Sequence, residues 1–213
     1  MTPPSRIKAI LLNLLVVIIW SSSWVLIKIG LKDIPPLTFA GLRYFMAFLV
    51  LTPFLLQRQI KQQVKDFTRS DWKLVLLMGI VSYFIAQGAQ FLSLDYLPAT
   101  TLSLMLNLTS IFVAISAVFL IKEIPTRLQV IGLLVNLAGI FLFFYPFSFT
   151  RGAAPGYLFG ILCLVTNVFG TLIGRKVNYK GRLNPIAVTV VSMGIGSTIM
   201  LTSGLLWEGI PTL

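Results

Sequence analysis

The sequence predicts an all-α fold, a polytopic transmembrane helical bundle of about seven helices, on three observations. Apolar runs near the ~20 residues that cross a bilayer as a helix recur along the whole chain. Hydrophobic residues make up 57% of it and charged residues only 11%, where a soluble domain carries about a quarter. Prolines and charges fall mainly in the gaps between runs, where helices end.

The first run, Ala9–Ile29, follows Arg6 and Lys8. It is too long for the apolar core of a signal peptide, carries Trp20 and Trp24, and has no small-residue cleavage pattern after it. It reads as a retained span. Pro35-Pro36 turns the chain into the second run, Leu37–Leu56, where Pro53 is placed to kink the end. The polar stretch Gln57–Lys73 is the one long connection. Leu74–Leu94 and Ala99–Ile121 are separated by Pro98, and Val130–Phe147 follows Pro125. Pro146 and Pro155 bound the gap before Gly156–Gly174, and Pro185 precedes Ile186–Trp207, beyond which lies Pro211. Short connections force neighbouring helices to run antiparallel.

Lysine and arginine set the orientation, because cytoplasmic loops carry the excess. With the N-terminus inside, thirteen of them fall on the cytoplasmic side: Arg6 and Lys8, five in Arg58–Lys73, Lys122 and Arg127, and Arg175, Lys176, Lys180 and Arg182. The other side keeps Lys32, Arg151 and Lys28. The net charge of +11 is thus divided among short gaps and forms no single basic surface, so the expected partner is the lipid bilayer and not nucleic acid. A cell-membrane protein with a cytoplasmic N-terminus is expected.

The same composition argues against an enzyme. There is no histidine, and no carboxylate falls inside a run; Asp95 and Glu123 lie at run ends. No catalytic set, cofactor motif or metal-ligand pattern emerges. The lone cysteine, Cys163, permits no intrachain disulfide.

Polar side chains within a span are costly and tend to face a bundle interior or a cavity. Trp20, Ser23, Trp24 and Ile27 share one face of the first helix at 3–4 spacing. Tyr83, Gln87, Gln90 and Leu94 share a face of the third, and its two glutamines are the best candidates to contact a solute. Ser103, Asn107 and Ser110 recur on the fourth, where Asn107 either lines a pathway or joins helices three and four. Lys28 can snorkel outward, and Arg43 either meets an anion, pairs with a carbonyl or snorkels, the last being favoured. Small residues predict close helix approach at Gly156/Gly160, Gly170/Gly174, Gly194/Gly196 and Gly132/Asn136/Gly139, with Met193 and Met200 as filler.

The chain also repeats itself. Trp20–Lys28 aligns without a gap with Asn167–Arg175, and Pro36 with Pro185. The copies open helices one and six, five spans apart, so the second enters from the opposite face. Inverted repeats of this kind build secondary transporters with a site at the midplane. Asn167 and Thr171 are the counterparts of the first-copy pathway residues.

The hairpin Trp20-Ser21-Ser22-Ser23-Trp24 … Lys28 … Pro35-Pro36-Leu37-Thr38-Phe39-Ala40-Gly41-Leu42-Arg43-Tyr44 resembles the opening of the drug/metabolite transporter superfamily, in its EamA-like branch. So do Ala89–Thr100, and Lys122-Glu123 followed by Gln129, Gly132 and Gly139. The resemblance implies two five-helix repeats, ten helices with both termini cytoplasmic, and export of metabolites, amino acids or drug-like compounds by alternating access. Here it implies a first EamA-like repeat over 1–148 and a partial second repeat, two helices, over 149–213. A shortened chain is therefore expected. The alternative is a non-transporting membrane fragment or scaffold.

Overall fold

The computed structural model of the chain describes residues 6–121, 125–145, 152–178 and 183–209. Lys122, Glu123, Pro146, Phe147, Arg151, Lys180, Arg182 and Pro211, invoked above, lie outside the described residues. Among the described residues the regular structure is helical: α1 Arg6–Gly30, α2 Pro36–Leu51, α3 Arg58–Lys65, α4 Arg69–Tyr96, α5 Ala99–Ile121, α6 Arg127–Phe144, α7 Ala154–Asn178 and α8 Pro185–Trp207. All but α3 carry windows long and apolar enough to cross a membrane, which makes the predicted seven.

Helix ends explain where prediction and structure differ. α4 starts at Arg69 and not Leu74, because Thr68 and Asp71 form a reciprocal capping box. α6 starts at Arg127 for the same reason, through Thr126 and Gln129. These capping turns are polar, so the apolar runs read from the sequence begin after them. Asn184 caps α8, its side-chain oxygen accepting from the Ile186 amide at 2.8 Å ahead of Pro185 at the first helical position. α2 tightens into a 3-10 turn over Thr52–Leu56, where Pro53 removes an amide donor. The connection Gln57–Lys73 is not merely a loop. Its helix α3 buries Ile60 and leaves Arg58, Lys61 and Lys65 exposed, and Gln63 accepts from the Asn184 amide at 3.1 Å.

Contacts fix the directions of the helices. Lys28 near the end of α1 reaches the end of α4, so these two run parallel. Gly156 of α7 packs on Tyr96 and Leu97, and Gly170 on Ser82, so α7 opposes both α4 and α1. Gly204 of α8 meets Leu37 and Thr38, and Gly194 meets Phe48, so α8 opposes α2. Spans six and seven therefore run against spans one and two.

Two apolar clusters sit at opposite ends of the bundle. One joins Ile27, Ala40, Phe91, Leu94, Leu102 and Met200. The other joins Ile60, Phe67, Val75, Val177, Leu183, Ala187 and Val188. Small residues make the tight crossings: a Cβ on Gly41 would fall 2.5 Å from the Leu201 Cα, and one on Gly204 would fall 2.7 Å from the Thr38 nitrogen. α6 is the exception. A Cβ on Gly132 or Gly139 would meet nothing within 4 Å, so the close approach expected there is corrected. Asn136 does reach across, its amide nitrogen 3.5 Å from the Asn107 carbonyl oxygen.

One charged side chain also departs from expectation. Lys28 does not snorkel. Its ammonium donates to the carbonyl oxygens of Leu94 and Leu97, the latter at 3.2 Å, at the negative end of the α4 dipole. Lys28→Met is expected to cost about 1 kcal/mol, read as a lower unfolding midpoint in detergent; an unchanged midpoint would show that the ammonium contributes nothing. Glu208, just past the end of α8, caps α2 from 170 residues away in the chain.

Candidate functional site

Between the two apolar clusters, α1, α2 and α4 bring polar side chains together. Along α4 the order is Val75 in one cluster, then Tyr83 and Gln87, then Phe91 and Leu94 in the other. The polar level is thus enclosed above and below by oil.

Arg43 organises it. Its Nη2 donates to the Ser23 hydroxyl at 2.8 Å, and its guanidinium carbon lies 5.5 Å from the centre of the Tyr44 ring. The Tyr44 hydroxyl donates to Gln87 Oε1 at 2.7 Å. The Tyr44 and Tyr83 rings meet edge to face, with centroids 6.0 Å apart. Three helices are joined by one polar chain, Ser23–Arg43–Tyr44–Gln87, and all four side chains are half-buried. The snorkelling expected of Arg43 is corrected: Ser23 lies seven residues before the end of α1 and Arg43 seven beyond the start of α2, so both sit about 10 Å in from the same end of the bundle.

Helix α4 adjusts at this level. Gly79–Ile85 is a π-helical turn, which inserts an extra residue into the register just before Gln87. It coincides with a close crossing on α8, where a Cβ on Gly79 would fall 2.7 Å from the Ser192 carbonyl oxygen. π turns often occur at functional sites.

Of the residues singled out from the sequence, Ser23, Tyr83 and Gln87 belong to this cluster. Gln90 is half-buried one turn further along α4, and its side chain has no hydrogen-bond partner among the described residues. Trp20 does not join it: its side chain is 67% exposed and points away from the bundle. Asn107 is exposed on α5, as is Thr171 on α7. Asn167 donates to the Cys163 carbonyl oxygen at 2.8 Å and Thr171 to the Asn167 carbonyl oxygen at 2.8 Å, so both bond within their own helix. The cluster is built from the first half of the chain, and the second-copy counterparts do not mirror it.

Tyr44 is the member that sequence reasoning missed, and Arg43 is one that it weighed but assigned to snorkelling. An arginine inside a span was the available signal. Tyr44 gave none, because its partner Gln87 is 43 residues away on another helix.

Comparison with known proteins bears on what such a cluster does. The sequence profile of the EamA-like transporter family matches residues 7–145. The uncharacterized transporter YvbV of Bacillus subtilis is 28% identical over 94% of this chain, and the uncharacterized transporter YoaV of the same organism is 27% identical over 97%. A probable amino-acid metabolite efflux pump of Salmonella typhimurium is 25% identical over 93% of the chain. The chain spans 64% of the length of YvbV, 70% of YoaV and 64% of the Salmonella protein. No solved structure matches it.

Proposed function

Because the chain belongs to the EamA-like transporter family and is a multi-pass membrane protein, we propose that it works as a secondary carrier that moves small organic solutes across the cell membrane by alternating access. The observation that carries this reading is the polar chain Ser23–Arg43–Tyr44–Gln87, enclosed between two apolar clusters and assembled from three spans. Polar groups at that depth are costly in lipid and are characteristic of a solute or ion pathway.

The solutes we assign are metabolites, amino acids or drug-like compounds, and the name of the Salmonella relative supports the direction as export. The two halves, 1–148 and 149–213, are related as inverted repeats in this reading. The opposed directions of spans one and six, and of two and seven, support that relation. The distribution of lysine and arginine supports a cytoplasmic N-terminus. The pathway group comprises Ser23, Tyr83, Gln87 and Gln90, with Trp20, Asn107, Asn167 and Thr171 outside the cluster.

Efflux of a solute panel from proteoliposomes holding the intact chain tests the reading, with Gln87→Leu beside it. This variant removes the acceptor of the Tyr44 hydroxyl and is expected to lower transport about 10-fold or more while insertion stays normal. Transport unchanged by Gln87→Leu would detach the cluster from the pathway. An inserted protein that moves nothing would favour the scaffold reading.

A further inference from the structure

We infer that Arg43 forms an anion subsite, and that the solute carries a carboxylate-type group held by its guanidinium, with the organic body against the Tyr44 and Tyr83 rings. This rests on the transport reading and names the chemical class of solute.

Arg43 is a permanent cation, half-buried about 10 Å inside the bundle. Among the described residues no carboxylate pairs with it. Asp33, Asp66 and Asp95 are exposed, Asp71 is engaged by Thr68, and Glu208 is engaged at the start of α2. Its described contacts are a neutral hydroxyl and a ring face. An arginine so placed is expensive unless an anion joins it.

Geometry then specifies the anion. A guanidinium presents five donors in a planar fork that matches a carboxylate in bidentate fashion, and Ser23 accepts from one nitrogen. Gln87 uses its oxygen to accept from Tyr44, and its amide hydrogens have no acceptor among the described residues. Gln90, one turn on, adds a polar group without a partner. The site is therefore rich in unengaged donors and holds no negative charge. Two tyrosine rings beside it provide an apolar wall.

The test uses the intact chain in phosphatidylcholine nanodiscs and matched probes: acetate with acetamide, phenylacetate with phenylacetamide, and indole-3-acetate with its amide. Binding is read as a shift in unfolding midpoint against probe concentration. At least one acid is expected to bind about 10- to 100-fold more tightly than its amide, a difference that Arg43→Gln removes and Arg43→Lys keeps in part. Equal binding within every pair, or no binding by any acid, overturns the subsite, and wild-type protein alone suffices for that outcome. Loss of the shift when phosphatidylglycerol is added also overturns it, because the occupant is then a lipid headgroup. Transport provides the separation from the broader reading. A chain that exports neutral solutes unaffected by Arg43→Gln keeps its transport function and loses the subsite. A chain that binds acids through Arg43 and exports nothing keeps the subsite and loses the transport function.

Discussion

Gly41→Ala is expected to destabilise the bundle by about 3 kcal/mol, near the upper end of what overpacking costs. Its new Cβ would lie 2.5 Å from the Cα of Leu201 and 2.7 Å from its nitrogen. These are backbone atoms of α8, so no side-chain rotation relieves the overlap, and the α2–α8 pair must separate along its length. Gly139→Ala is the same chemical change in α6, where the added atom meets nothing within 4 Å. That variant is expected to be neutral or slightly stabilising, because alanine favours helix over glycine by about 1 kcal/mol. Unfolding midpoints of the two variants in one detergent decide the matter. Equal midpoints would mean that the α2–α8 crossing is not close.

Glu208→Ala is expected to cost about 3 kcal/mol through loss of charge-assisted hydrogen bonds at a helix start. The Glu208 carboxylate accepts from the Leu37 amide at 2.9 Å, the Thr38 amide at 2.8 Å and the Thr38 hydroxyl at 2.8 Å. Thr38 is fully buried, so water does not replace the lost acceptor. α2 has no side-chain cap of its own, since Pro35 precedes it. The carboxylate also faces the positive end of the α2 dipole. Glu208→Gln keeps one acceptor and should fall between alanine and wild type. Amide hydrogen exchange at Leu37 and Thr38 gives a local readout, expected to quicken in the alanine variant. Unaltered exchange at both positions would remove Glu208 from its capping role.

These two sites show how the chain closes on itself. α8 is held to α2 by a glycine crossing in the middle and by Glu208 at one end. At the other end Gln63 accepts from the Asn184 amide, beside the cluster that includes Phe67 and Leu183. The polar cluster around Arg43 lies between these fastenings. Motion that opened one end would have to break the Glu208 or Lys28 contacts, both of which join a charge to a helix terminus.

Seven spans were legible because a run of about 20 apolar residues has few other uses in a protein chain. Ser23, Tyr83 and Gln87 were legible as well, because polar groups in such runs stand out against their surroundings. Trp20 falls outside the cluster for a physical reason: helical spacing shows that it shares a face with Ser23 and says nothing of how far each side chain reaches into the bundle. Ser23 is half-buried, whereas Trp20, almost a turn earlier, is 67% exposed.

Arg43, Lys28 and Glu208 mark the boundary most clearly. Composition and periodicity determined that this chain is a helical membrane protein, where its spans run and which of their positions are polar, since each is a property of residues close together in sequence. What each charge does was decided only by the tertiary structure. Lys28 finds carbonyls 66 and 69 residues away, and Glu208 finds amides 170 and 171 residues away. In lipid a charge takes whichever partner the packing brings within reach, and packing is a property of the assembled helices.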